Sequence, residues 1–279
     1  SGNYATVSGG RGNQASFEYA SVGGGNQNIA SGQNSTVSGG ESNNATDLYA
    51  TIGGGIWNQA VGRNATIAGG DSNRAGGTGL ENDDSPTVGG GLQNIAEGTG
   101  STVAGGEVNH ALGYWTAIGG GSGNEALAPW GTIAGGSSNK VSGNYATIAG
   151  GGPSDFDNPT TTNNRVFDDY GTIGGGGGNR AGSDDFDIQN ATYATVGGGR
   201  SNRASAAFTF IGGGNDHYIS ADWGTIAGGS GNEARGLAAT VGGGGTNTAS
   251  GEGSTVPGGG FNTALGSYTF AAGWRAKAN

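Results

Sequence analysis

One phrase, A-T-V-x-G-G, recurs along the whole chain and constrains its fold more than any other feature. Its apolar residue, which we call the anchor, falls at Val7, Val22, Val37, Ile52 and Ile67, at intervals of fifteen residues. Seventeen copies follow one another, with wider steps at three insertions and a last step of 14 residues to an anchor at Phe270. A short, regular repeat of this kind predicts a solenoid in which each copy forms one coil.

The other positions of the repeat predict the structure of each coil. Counting from the anchor, most copies carry Thr at −1, glycines at +2 and +3, Asn at +6 and Ala at +8. Two stretches of period-two alternation, bounded by glycines, are typical of two short strands. Helix is disfavoured, because glycine costs about 1 kcal/mol per helical position and 67 of the 279 residues are glycine.

The sequence therefore predicts an all-β fold, a parallel β-solenoid of about 17 coils with a fifteen-residue repeat. It forms a single domain, residues 1–279, with loop insertions near 76–86, 152–170 and 182–192. The Asn column is predicted to lie at a corner and to hydrogen-bond along the stack of coils. The predicted structural core consists of the anchors Val7, Val22, Val37, Ile52, Ile67, Ile118, Ile133, Ile148, Ile226 and Val241.

Such thin coils bury little apolar surface. Burying one Val or Ile stabilises by roughly 1.5–3 kcal/mol, whereas ordering fifteen residues costs on the order of 15–30 kcal/mol. Self-association would add burial, so we expect a homotrimer or a filament.

Repeat phrases such as Ala50-Thr51-Ile52-Gly53-Gly54 and Asn247-Thr248-Ala249-Ser250-Gly251 resemble the head repeats of YadA-type trimeric autotransporter adhesins. The resemblance extends to repeat runs of other bacterial surface and phage-fibre proteins. It implies a left-handed β-roll that trimerises side by side on a cell surface or a virion fibre. The doubled glycines and the Asn column depart from the adhesin pattern.

Composition narrows the function class. The net charge of −10 argues against a nucleic-acid partner, and no apolar run is long enough for membrane insertion. There is no cysteine for a thiolate or disulfide site. The two histidines, His110 and His217, are interpreted as surface residues outside any catalytic arrangement. We expect no enzyme activity, and calcium is the only cofactor that the sequence suggests.

Position −3 carries a column of aromatic residues. One interpretation is a ladder that seals a corner or a subunit interface; the other is a stacking platform for sugars or a host surface. This candidate binding surface consists of Tyr4, Tyr19, Tyr49, Trp115, Trp130, Tyr145, Tyr170, Tyr193 and Trp223, with Phe208 in the same column.

The Thr column at −1 has the opposite parity to the anchors and is predicted to face outward. Repeated outward threonines are also typical of ice-binding solenoids. The alternative interpretation is β-propensity and packing against a neighbouring subunit.

Acidic residues concentrate in the insertions. Alternate carboxylates in an extended loop supply the oxygen ligands that Ca²⁺ prefers. The predicted calcium ligands are Asp155, Asp157, Asp184, Asp185 and Asp187. The other interpretation is solvated loop acids. Since the last two insertions leave adjacent coils, we expect them to touch, with Phe156, Phe167 and Phe186 packed beneath them.

These features together predict an extracellular structural or adhesive fibre module, either an adhesin head or a fibre shaft. Its partners would be copies of itself and a host matrix protein, glycan or other surface. One alternative is a subunit of a self-assembling extracellular filament. Another is an ice-binding solenoid that uses the Thr column.

Overall fold

The computed structural model describes residues 2–77, 84–185 and 187–279. It divides into two compact units, Ser1–Trp130 and Gly131–Asn279. The prediction of a parallel β-solenoid is confirmed: the fold is all-β with a spacing of about 15 residues and about 18 turns. The one helix among the described residues, Pro159–Thr162, is four residues long. No described helix has the length and apolarity to cross a membrane.

Each coil of the first unit contributes one two-residue strand to each of two parallel sheets. The anchor sheet contains Thr6–Val7, Ser21–Val22, Thr36–Val37, Thr51–Ile52, Thr66–Ile67, Thr87–Val88, Thr102–Val103 and Ala117–Ile118. The alanine sheet contains Gln14–Ala15, Ile29–Ala30, Asn44–Ala45, Gln59–Ala60, Arg74–Ala75, Ile95–Ala96, His110–Ala111 and Glu125–Ala126.

The second unit repeats this arrangement. Its anchor sheet contains Thr132–Ile133, Thr147–Ile148, Thr172–Ile173, Thr195–Val196, Phe210–Ile211, Thr225–Ile226, Thr240–Val241 and Thr255–Val256. Its alanine sheet contains Lys140–Val141, Arg165–Val166, Arg180–Ala181, Arg203–Ala204, Tyr218–Ile219, Glu233–Ala234, Thr248–Ala249, Thr263–Ala264 and Lys277–Ala278. A further pair, Gly259–Gly260 and Gly273–Trp274, lies at a corner of the last coils.

Residues pair with their equivalents one coil further on. Thr36 pairs with Thr51, and Val37 with Ile52, in parallel register. The register continues across the wider steps, as between Thr66 and Thr87. The strand register is therefore the same before and after each insertion. Of the insertion near 76–86, residues 78–83 lie outside the described residues.

The anchors form the core together with the alanines at +8 and −2. Nine of the ten predicted core anchors are buried, from Val22 to Val241. The prediction for Val7 is wrong, because this side chain is 45% exposed. Its strand pairs with a neighbour on one side only among the described residues, so one side of the Val7 side chain is uncovered.

The assignment of the last anchor to Phe270 is also wrong. Thr255 pairs with Phe270, so Phe270 occupies position −1 and points outward, and its side chain is 63% exposed. Ala271 takes the inward position and is buried. The step from Val256 to Ala271 is again fifteen residues, and the missing residue falls later in that coil.

The Asn column is buried at a corner, where each amide satisfies backbone groups of two coils. Asn28 Nδ2 donates to the carbonyl oxygens of Gly24 at 2.9 Å and Gly40 at 2.8 Å. Asn28 Oδ1 accepts from the backbone N–H of Asn43 at 3.0 Å. The predicted hydrogen bonding along the stack is confirmed, although most of the partners are backbone groups rather than neighbouring amides.

The glycine at +3 makes this corner possible. Gly40 has a φ of 92°, and a Cβ there would collide with the carbonyl oxygen of Gly55 in the next coil. At +2, a Cβ on Gly39 would meet nothing within 4 Å. Positive φ is therefore required at the second glycine of this pair and not at the first.

Candidate functional site

The aromatic column at −3 lies at a corner with left-handed backbone. Tyr170, Tyr193 and Phe208 have φ values of 59°, 61° and 56°. Each backbone N–H donates to the preceding coil, as from Tyr170 to the oxygen of Asn144 at 2.9 Å. The same position holds Asn34 and Asn64 in other coils, and asparagine tolerates this conformation.

Five consecutive rings of the second unit form one continuous stack, which we call the ring stack. Its members are Tyr145, Tyr170, Tyr193, Phe208 and Trp223. Neighbouring centroids are 4.7–5.2 Å apart, and the first three pairs are within 10° of parallel. Each side chain remains 42–51% exposed.

This geometry determines which part of each ring a partner can reach. Because the faces of the inner rings cover one another, the accessible atoms are ring edges and tyrosine hydroxyls. Sugar stacking needs a free face, which the inner rings do not offer. The other predicted aromatic residues lie in the first unit; there Tyr4 and Tyr19 stack at 5.1 Å, and Tyr49 lies between coils that carry Asn34 and Asn64.

The Thr column forms in-register ladders on the outer side of the anchor sheet. In the first unit the ladder has five consecutive members, which are Thr36, Thr51, Thr66, Thr87 and Thr102. In the second unit, Phe210 interrupts the ladder between Thr195 and Thr225. The hydroxyl-and-methyl array is therefore longest in the first unit.

The two described insertions leave adjacent coils on opposite sides of the alanine sheet. Residues 153–163 precede the strand Arg165–Val166, and the described residues 183–185 and 187–190 follow Arg180–Ala181. A contact exists within the predicted bounds 152–170 and 182–192, since the N–H of Asp169 donates to the oxygen of Ile188 at 2.9 Å, but Asp169 lies beyond the loop 153–163, after the strand Arg165–Val166. The prediction that Phe156 packs beneath the loops is wrong, because this residue is 83% exposed. Phe186 lies outside the described residues.

The predicted calcium ligands are divided between these loops, where they cap local turns. Asp155 accepts from the N–H of Asp157 and from Asn158 Nδ2, both at 3.0 Å. Asp185 accepts from Ser183 Oγ and from Asn190 Nδ2. The Asn158 and Asn190 hydrogen bonds are the main causes that lower the pKa of Asp155 and Asp185, respectively.

Asp184 and Asp187 are exposed in the second loop. The described residues contain no group of three or more histidine, aspartate or glutamate side chains positioned to hold a metal ion. Calcium binding stays a prediction.

The sequence did not predict the burial of two ionisable groups whose pKa values are shifted, His217 and Asp168. The interpretation of His217 as a surface residue is wrong: it is buried in the Asn column, where its Nδ1 accepts from the N–H of Asn232 at 3.1 Å. Burial lowers its pKa. Asp168 is also buried, and its Oδ2 accepts from the N–H of Ser183 at 2.6 Å. Burial raises the pKa of Asp168 to about 6.

A line of basic side chains was also missed. Position +7 holds Lys140, Arg165, Arg180 and Arg203 in four consecutive coils, and these residues pair in register across the alanine sheet. The signal was present in the repeat alignment, but it lies in a column whose residue type varies along the rest of the chain.

Comparison of the chain with protein-family models finds no match, and comparison with curated proteins finds none either. The likeness to YadA-type head repeats therefore stays a resemblance of repeat phrases. A β-solenoid supports many functions, so the function has to be argued from the surface.

Proposed function

We propose that the chain is an extracellular adhesive module, part of an adhesin head or a fibre shaft, and that the ring stack is its contact surface. The observation that carries this proposal is the stack of five exposed rings. Its members hold one another in place, so little side-chain freedom is lost when a partner binds. Aromatic residues also dominate the energy of protein interfaces.

The exposed ring edges and hydroxyls favour a protein surface over a sugar ring as the partner. An edge line about 20 Å long, from five rings at roughly 5 Å spacing, offers three neighbouring tyrosine hydroxyls at one end and the apolar edges of Phe208 and Trp223 at the other. A matrix protein offers the matching mixture of apolar side chains and backbone polar groups.

The test is retention on wells coated with gelatin, fibronectin or dextran. The variant carries Tyr170→Asn, Tyr193→Asn and Phe208→Asn, because asparagine already occupies this position in other coils. A matched control removes exposed rings from position +5 by Trp57→Ser and Phe261→Ser, since Ser42 and Ser72 occupy that column with the same positive φ.

We expect the stack variant to lose retention on at least one protein coat by about tenfold, and the control to stay within about twofold. Equal retention of the wild type and the stack variant on every coat would contradict the proposal. Retention on dextran alone would indicate that the partner is a neutral glycan and not a protein.

A second candidate, ice binding, is favoured by the Thr ladder of the first unit. Five threonines in register present a repeated hydroxyl-and-methyl array on a rigid sheet. Thermal hysteresis of the wild type, abolished by Thr51→Leu and Thr66→Leu, would support it. Freezing and melting at the same temperature would exclude it.

A further inference from the structure

Four basic residues stand in one line on the second unit. We call Lys140, Arg165, Arg180 and Arg203 the basic ladder. Neighbouring parallel strands are ~4.8 Å apart, so the ladder spans ~14 Å. Like charges directly opposite one another destabilise a sheet. The chain has 11 basic residues against 21 acidic ones, yet it places four of the 11 in consecutive coils of this one column.

In the part of the chain that the structure describes, carboxylates balance the arginines of the ladder only in part: the charge of Asp184 acts on Arg180 without forming an ion pair. Among the described residues, Arg165, Arg180 and Arg203 form no ion pair, whereas Arg74 and Arg235 do. Burial, followed by the charges of Arg203 and Arg165, lowers the pKa of Arg180. An arginine still stays charged at neutral pH, so the ladder is a concentrated positive site.

Neutral acceptors orient the guanidinium groups. Arg165 Nη2 donates to the oxygen of Thr160 at 2.9 Å, and Arg180 Nη2 donates to the oxygen of Thr161 at 3.2 Å. Arg203 Nε donates to Ser205 Oγ at 2.9 Å. A guanidinium has five N–H donors, so each arginine keeps donors for a ligand while its side chain is already positioned.

A groove lies on each side of the ladder. The first is lined by Lys140, Ser142, Arg165, Phe167, Asp184 and Asp187. The second is lined by Ser154, Thr161, Thr162, Arg180, Ser201 and Arg203. Each groove therefore combines cationic groups with hydroxyls, and the first adds two carboxylates and an aromatic ring.

This mixture of groups selects one class of ligand. Guanidinium groups bind sulfate and carboxylate through paired hydrogen bonds. The carboxylates of Asp184 and Asp187 accept hydrogen bonds from hydroxyls but repel anions. The ligand must therefore carry anionic groups separated by hydroxyl-bearing units. A nucleic acid, with a phosphate at every nucleotide, would be repelled by these carboxylates and by the net charge of −10.

We propose that the basic ladder binds an acidic polysaccharide. Its sulfate or carboxylate groups bind the guanidinium groups, and its hydroxyls bind Asp184, Asp187 and the serine and threonine side chains. This site is separate from the ring stack, so its test does not depend on the proposed adhesive function.

The experiment titrates the full chain at 50 mM NaCl with four probes: polygalacturonate, dextran sulfate, neutral dextran and single-stranded oligo(dT). The variant is Arg165→Gln with Arg180→Gln, because Gln14 and Gln59 occupy the same column. A second variant, Arg203→Gln, changes an exposed residue whose side chain donates to Ser205 Oγ and lies over the Tyr218 ring. It still tests the proposal if the double variant folds poorly. The control, Arg11→Gln with Arg63→Gln, removes the same charge from the first unit.

We expect polygalacturonate or dextran sulfate to bind the wild type. The affinity should fall as the salt concentration rises. The double variant should bind at least about tenfold more weakly, Arg203→Gln about threefold more weakly, and the control within about twofold. Replacing both arginines with lysine should restore most of the affinity. Equal binding by wild type and both ladder variants, binding of oligo(dT) as tight as that of the polysaccharides, or no binding of either acidic polymer would overturn the proposal.

Discussion

Asn28 Oδ1 accepts a hydrogen bond from the backbone N–H of Asn43, one coil further on, at 3.0 Å. The same contact recurs from Asn43 to Asn58 and from Asn58 to Asn73. The coils are thus linked at one corner by a buried side chain that bonds the backbone of two coils. The hydrogen bonds of this column therefore stabilise the stacked coils, as a larger apolar core does in other folds.

Removing one of these amides should destabilise the first unit. In Asn58→Ala, the oxygens of Gly54 and Gly70 and the N–H of Asn73 lose their Asn58 partner. The oxygen of Gly70 still accepts from the N–H of Ile56, so two groups are left unpaired. Each costs about 1–3 kcal/mol, and we expect a loss of about 2 kcal/mol or more in urea unfolding. The control is Asn44→Ala, because the buried Asn44 Oδ1 has no hydrogen-bond partner among the described residues. Equal losses in the two variants would contradict this role.

The two glycines of one corner should differ in their tolerance of alanine. Gly40→Ala places a Cβ against the oxygen of Gly55 at a φ of 92°, and we expect a loss of more than about 2 kcal/mol. Gly39→Ala meets open space and should change the free energy of unfolding by less than about 1 kcal/mol. Thermal melting of both variants measures the difference. If Gly40→Ala is as stable as Gly39→Ala, the backbone at this corner can relax to accept a Cβ.

His217 should make the fold sensitive to acid. Its pKa is lowered in the folded state, so below about pH 6.5 the unfolded chain takes up a proton that the buried ring does not. Stability should therefore fall as the pH drops through this range, and His217→Asn should flatten that slope. The control is His110→Asn on the outer column. An unchanged slope in His217→Asn would mean that the ring is protonated in place.

Asp168 should give the free energy of unfolding a pH dependence opposite to that from His217. Its pKa is raised to about 6, so between about pH 4 and pH 6 the folded state holds a proton that the unfolded state has lost. Stability should fall as the pH rises through that window and change no further from this group above it. Asp168→Asn should remove the slope, since asparagine keeps an acceptor for the N–H of Ser183. Asp157→Asn is the exposed control, and equal slopes in wild type and Asp168→Asn would refute the assignment.

The repeat made most of the fold predictable. Fifteen-residue spacing, alternation around the anchor and paired glycines are local signals, and they led to the parallel register and to the buried Val, Ile and Asn columns. Phe270 was misplaced because the A-T-V-x-G-G phrase shifts by one residue in the last coil. Val7 was misplaced because burial depends on neighbouring coils, which a repeat pattern does not count.

The surface was less predictable for the same reason. The aromatic column could be read from spacing, but the overlap of its ring faces depends on the left-handed corner. The place of Arg165 in the basic ladder and the burial of Asp168 depend on which side of the alanine sheet each insertion leaves, and spacing does not contain that information. Homotrimer formation stays a prediction, which sedimentation velocity of the full chain would test.

The central claim is that the ring stack touches the partner. Hydroxyl-radical footprinting of the full chain, free and bound to the protein coat that retains it best, measures this contact residue by residue. We expect the oxidation of Tyr170, Tyr193 and Phe208 to fall on binding, while the exposed rings of Phe261 and Tyr268 react as before. Unchanged oxidation of the stack, with protection elsewhere on the surface, would contradict the claim.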